Sequence, residues 1–139
     1  MIKLLLAIDG SKPSQRAAEH VIRLDASGLE LSALLLNVPP NLARSRSRAQ
    51  RRVDMLRALN EWEKATRPAI ALLERAHVPY RSYRRSGAPA DAILKFVREK
   101  ECEAIVMGTR GLGAVSGVVL GSVATKVVRL ARVPVTLVK

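Results

Sequence analysis

The sequence predicts an α/β fold, a doubly wound five-stranded parallel sheet with helices on both faces. Three observations carry that expectation. Five segments of strand length, four of them apolar and one alternating ring and charge, recur along the 139 residues, four stretches of helical periodicity separate them, and nothing between them has the composition of a domain linker. Each crossover helix must bury its apolar stripe against the sheet, which makes the strands parallel and covers both faces. The chain reads as a single domain, 1–139, long enough to bury roughly 68% of its unfolded surface without disulfides or a structural metal.

The elements follow in order. Ile2 to Ile8 is an apolar run broken only by Lys3, and Asp9-Gly10-Ser11 punctuates it as a turn follows a buried strand. Ser11 is placed to cap a helix whose first turn tolerates Pro13, with Ala17, Ala18, Val21, Ile22 and Leu24 at helical spacing. Gly28 breaks that pattern, Leu29 to Val38 forms a second strand, and Pro39-Pro40-Asn41 cannot continue a ladder. Beyond an arginine-rich loop, Val53, Leu56, Leu59, Trp62, Ala65, Ala69, Leu72, Leu73 and Ala76 predict one core-facing stripe on a long middle helix. Pro68 inside it is expected to kink or restart the helix, because it donates no backbone hydrogen bond and crowds the preceding turn. Tyr80 to Arg85 alternates ring and charge like an edge strand, and Gly87-Ala88-Pro89-Ala90 opens a third helix reaching Glu101. Ala104 to Met107 is a short buried strand, Gly108 to Gly121 a glycine-rich connection, Ser122 to Ala131 a helix, and Val133 to Val138 the closing strand.

Composition narrows the function. The 24 Lys and Arg against 12 Asp and Glu give a net charge of +12. Residues 1–43 sum to zero, whereas 44–85 carry twelve basic groups against four acidic ones. The densest run, Arg44, Arg46, Arg48, Arg51 and Arg52, could attract polyanions, so a polyanion-binding module built on 44–52 is an alternative function. Only Tyr80 and Tyr83 lie near basic residues elsewhere, a poor stacking platform, and nucleic acid is therefore the lesser expectation beside a solvated loop. Cys102 is the sole cysteine, which suits a reducing compartment. The opening MIKLLLAIDG reaches Asp9 after a short apolar run, and no stretch approaches the ~18 apolar residues of a membrane helix. Neither a signal peptide nor a membrane span is expected, and the protein is expected in the cytoplasm.

Gly108 to Ser122 holds the most chemistry. It carries five glycines between a strand and a helix, so a ligand can approach the main chain closely while the N–H groups of the following helix start face it with partial positive charge. That combination suits phosphate, and Ser122 can add a hydroxyl donor or cap the helix. A P-loop is excluded because no lysine stands where it requires one, and the dinucleotide fingerprint fails at Ser116, where it needs glycine.

The spacing that does fit is Gly108, two residues, Gly111, nine residues, then Gly121-Ser122. It resembles the nucleotide-binding signature of the universal stress protein family, in its ATP-binding branch. The likeness extends to Leu5 through Ser11, to Leu35-Leu36-Asn37-Val38, to Gly87 through Leu94 and to Val133 through Val138. It implies a sheet ordered 3-2-1-4-5, in which strands 1 and 4 meet at a switch point and open one crevice at their carboxyl ends. It further implies that ATP, with Mg²⁺, sits there, Ala7, Asp9, Val38 and Met107 surrounding adenine and ribose, and Gly108, Gly111, Gly121, Ser122 and Val123 holding ribose and phosphates. The closing strand would lie at the sheet edge, where pairing with a second copy makes a homodimer. Arg110 suits either phosphate or solvent.

No catalytic constellation stands out. His20 falls within the first helix, His77 at the end of the middle one, and Cys102 reads as a packed thiol. The expected function is an ATP-binding stress-response regulatory protein, with slow ATP hydrolysis as the enzymatic alternative.

Overall fold

The computed structural model describes residues 1–39, 47–111 and 120–139. Its elements alternate as β1 (Ile2–Ala7), α1 (Lys12–Ala26), β2 (Leu31–Asn37), α2 (Arg48–Arg75), β3 (Tyr80–Arg84), α3 (Pro89–Lys100), β4 (Ala104–Gly108), α4 (Ser122–Leu130) and β5 (Val135–Val138). The sheet has the order β3-β2-β1-β4-β5, and all four strand pairs are parallel. The inner part of the glycine-rich connection, 112–119, and the arginines at 44 and 46 lie outside the described residues.

Strand alternation divides the interior in two. Leu4, Leu6, Ala33 and Leu35 point to the side covered by α1 and α2, where Ala17, Ala18, Val21, Ala69 and Leu73 meet them. Leu5, Leu34, Leu36, Ile105 and Met107 point to the other side, packed by Ile93, Phe96 and Val97 of α3 and Ala124 and Val127 of α4. Successive side chains of a strand face opposite ways, so runs such as Leu4-Leu5-Leu6 are apolar throughout because both faces are covered.

α1 begins as its sequence dictates. Ser11 is the N-cap, its hydroxyl accepting from the Ser14 amide at 3.3 Å, and Pro13 lies in the first turn. Replacing Ser11 with alanine should cost about 0.5–2 kcal/mol of stability, read as a lower urea midpoint with unchanged slope.

α2 departs from expectation in two ways, its start and its stripes, and at Pro68 one of the two expected outcomes, a restart, does not occur. It starts at Arg48, capped by the Ser47 hydroxyl, which accepts from the Gln50 amide at 3.1 Å; Arg48, Arg51 and Arg52 therefore occupy helix, not loop. It passes through Pro68 without restarting, because Pro68 and Lys64 both lie on the exposed side, where water can satisfy the Lys64 carbonyl that Pro68 leaves without a donor. The single expected stripe is two stripes. Ala58, Thr66, Ala69 and Leu73 form the buried one, whereas Val53, Leu56 and Leu59 are 43%, 64% and 47% exposed. At about 100° per residue, Leu56 and Ala58 point to nearly opposite sides of the helix.

β5 is shorter than its sequence run. Pro134 lies before it, contributing only its carbonyl, which accepts from the Ile105 amide at 2.9 Å.

Candidate functional site

At the carboxyl ends of β1, β2 and β4 the chain opens a crevice of about 450 Å³, at the switch point where β1 separates β2 from β4. A cavity of that size is in the range of small-ligand pockets. Ala7 and Asp9 reach it from the end of β1, Val38 from the end of β2, and Met107 and Gly108 from β4. Gly111, Gly121, Ser122 and Val123 complete the far wall, so all nine residues singled out in the sequence line one crevice.

The geometry is tied across the switch point. Asp9 Oδ1 accepts from the Ser11 amide at 2.9 Å, fixing the turn into α1. A Cβ at Gly111 would stand 2.5 Å from Asp9 Oδ2, so the loop after β4 lies against the Asp9 carboxylate, and a side chain there would have to displace it. The Ser11 hydroxyl donates to the Arg110 carbonyl at 3.4 Å, and the Gly121 amide to the Thr109 carbonyl at 2.7 Å. That last bond brings the start of α4 back onto the end of β4.

α4 presents its amino terminus to this space. Gly121 is the N-cap and no side chain caps it; Ser122 is the first helical residue, so its hydroxyl does not serve as the cap. The first intrahelical bond runs from the Thr125 amide to the Gly121 carbonyl at 3.0 Å. The amides of Ser122, Val123 and Ala124 precede it and have no helical acceptor. They supply donors and partial positive charge at the crevice wall.

The sequence reading passed over several wall residues. α2 contributes Glu61 and Ala65, and α3 contributes Pro89 and Ile93. Helical periodicity indicates which residues face the sheet, but not how far a helix overhangs its carboxyl end. Arg110 also lines the crevice, whereas Arg48, Arg51 and Arg52 do not.

Elsewhere, His20 is half-buried and His77 exposed, and neither lines the crevice. Cys102 is buried, and burial pushes its thiol pKa up, against smaller opposing effects from Lys3 and Lys100. Among the described residues no group of three His, Cys, Asp or Glu side chains could hold a metal ion, and no helix is long and apolar enough to cross a membrane.

The universal stress protein family model matches residues 1–139. The chain belongs to that family. It is 36% identical to a universal stress protein of Thermus aquaticus over 98% of this chain and 97% of that protein. A universal stress protein solved in complex with cAMP is similar at 26% identity, TM-score 0.68, covering 99% of this chain and 97% of that one. The Archaeoglobus fulgidus universal stress protein solved with dAMP shares the fold at 20% identity and TM-score 0.73, covering 100% of this chain and 98% of that one.

Proposed function

We propose that this universal stress protein binds ATP in the switch-point crevice and works as a stress-response regulator, with nucleotide occupancy rather than turnover as its useful state. One observation carries the proposal: glycines 108, 111 and 121 line the same crevice as the amino terminus of α4, which no side chain caps. A glycine floor leading to free helical amides binds phosphate without needing a lysine. The relatives solved with cAMP and dAMP support an adenine nucleotide as the ligand.

In this reading Val38 and Met107 give the base apolar surface, and Asp9, held at the turn into α1, accepts hydrogen bonds from the sugar. Gly108 and Gly111 admit the ribose and phosphates, and the amides of Ser122 and Val123, with the Ser122 hydroxyl, hold the phosphate oxygens. Mg²⁺ accompanies the triphosphate and neutralises part of its charge, held chiefly by phosphate oxygens and water. The hydrolase alternative expects steady, protein-dependent phosphate release that Asp9→Asn or Ser122→Ala abolishes; the regulatory reading expects ATP to be recovered intact after prolonged incubation. The protein is proposed to work in the cytoplasm.

We also propose a homodimer through β5. This strand forms one edge of the sheet, with Thr136 exposed and Val135, Leu137 and Val138 half-buried, and α4 adds Val128 and Leu130 at 46% and 48% exposure. Antiparallel pairing of two such edges about a twofold axis covers both. Light scattering should give a dimer at micromolar concentration. Val135→Pro, which removes a donor on the free edge because Pro134 and Val138 on either side direct their carbonyls to β4, and Leu137→Lys should each shift it to monomer; a monomeric wild type or a dimer indifferent to both changes contradicts the contact.

A further inference from the structure

The charged residues of the crevice are sorted by the elements that carry them. Among the described residues that line it, Asp9 and Glu61 carry the negative charge and Arg110 the positive. Glu61 stands on α2 about one turn before Ala65, and Ala65 packs on the turn that follows Asp9: a Cβ at Gly10 would stand 3.1 Å from Ala65 Cα. Both carboxylates therefore belong to the β1 and α2 side. Arg110 belongs to the side of β4 and α4. A Cβ at Gly121, the N-cap of α4, would stand 3.4 Å from Arg110 Cα, and the Thr109 carbonyl next to it accepts from the Gly121 amide. The Ser11 hydroxyl donates to the Arg110 carbonyl, so the main chain is held at this point while Arg110 itself is exposed. None of the ion pairs among the described residues involves it.

The amides of Ser122, Val123 and Ala124 are enough to hold one phosphate group. Each further phosphate adds negative charge that needs its own partner. With its Cα against the N-cap, a side chain of arginine's length reaches the space in front of those amides. We infer that Arg110 makes the crevice sensitive to phosphate number, engaging the outer phosphates of ATP and ADP so that both bind more tightly than AMP. The inference rests on the nucleotide reading above and extends it, since cAMP and dAMP, with which relatives were solved, carry a single phosphate that the α4 amides alone can serve. A guanidinium suits the task, because its planar fork gives phosphate oxygens two parallel N–H bonds. The carboxylates add direction: Asp9 and Glu61 repel phosphate and accept from hydroxyl or amino groups, which turns the phosphate end away from α2 and toward Arg110.

Isothermal titration of the full chain with ATP, ADP and AMP tests it, in EDTA so that no metal offsets the added charge. The wild type should bind ATP more tightly than ADP, and ADP more tightly than AMP. Arg110→Gln, at an exposed position, should leave the unfolding midpoint unchanged, weaken ATP roughly fivefold at low salt and weaken AMP by less than about twofold. Arg110→Lys should recover part of the difference, and high salt should shrink it. A wild type that binds AMP as tightly as ATP, or an unchanged ratio of ATP to AMP affinity in Arg110→Gln, overturns the inference and leaves the nucleotide site standing. Failure of the wild type to bind any of the three, with or without Mg²⁺, overturns the nucleotide reading and this inference together.

Discussion

Gly108→Ala is expected to destabilise the protein by about 1–3 kcal/mol, the usual cost of forcing an extra carbon into a packed interior. A Cβ at Gly108 would stand 2.7 Å from Pro13 Cβ and 2.9 Å from both the Pro13 carbonyl carbon and the Ser14 amide nitrogen. Two of those three atoms are backbone in the first turn of α1, which the Ser11 cap holds in place, so no side-chain rotation relieves the contact. Gly108 also ends β4, in register with Val138 of β5; moving it away from α1 would strain the ladder. Thermal unfolding should show a midpoint lower by roughly 3 to 15 °C. An unchanged midpoint would mean that α1 and β4 are less closely packed than this structure has them.

Gly121→Val should leave the fold intact and remove most ATP affinity. Gly121 has φ −74° and ψ 167°, extended backbone that any residue adopts, and a Cβ there would meet its nearest neighbours at 3.4–3.7 Å, ordinary contact. The added carbons instead fill the space between position 121 and the 109–111 backbone, on the crevice wall beside which the phosphates are proposed to lie. Losing one charge-assisted hydrogen bond there costs about 1.5–3 kcal/mol, a roughly 10- to 150-fold weaker dissociation constant. Calorimetry would measure the affinity and thermal unfolding would confirm the fold. Unchanged affinity in a folded variant would take the glycine loop out of the site. The two glycines thus separate by mechanism: position 108 is read in stability, position 121 in binding.

The fold was largely legible because its strands are buried on both faces and its turns are marked by glycine and proline. Ile2–Ala7 and Ala104–Gly108 stand out as apolar runs because both sides of the sheet are covered. The strand order itself came from the family likeness, since apolar runs do not say which strands are neighbours. The site was legible where it depends on main chain, in the glycine spacing and the start of α4, and illegible where it depends on how elements overhang, as with Glu61 and Ala65. On α2, apolar residues on two different sides were merged into one stripe because their spacings of three and four interleave. Gly108 reads in sequence as part of a phosphate loop; its closest constraint is packing against Pro13 and Ser14, a long-range contact that local spacing does not encode.

The switch-point crevice is proposed as an adenine-nucleotide site. Isothermal titration of the wild-type chain with ATP and Mg²⁺ tests it most directly. The expected result is saturable binding of one ATP per chain, lost in Gly121→Val. The absence of binding at millimolar ATP, or equal binding by wild type and variant, would contradict it.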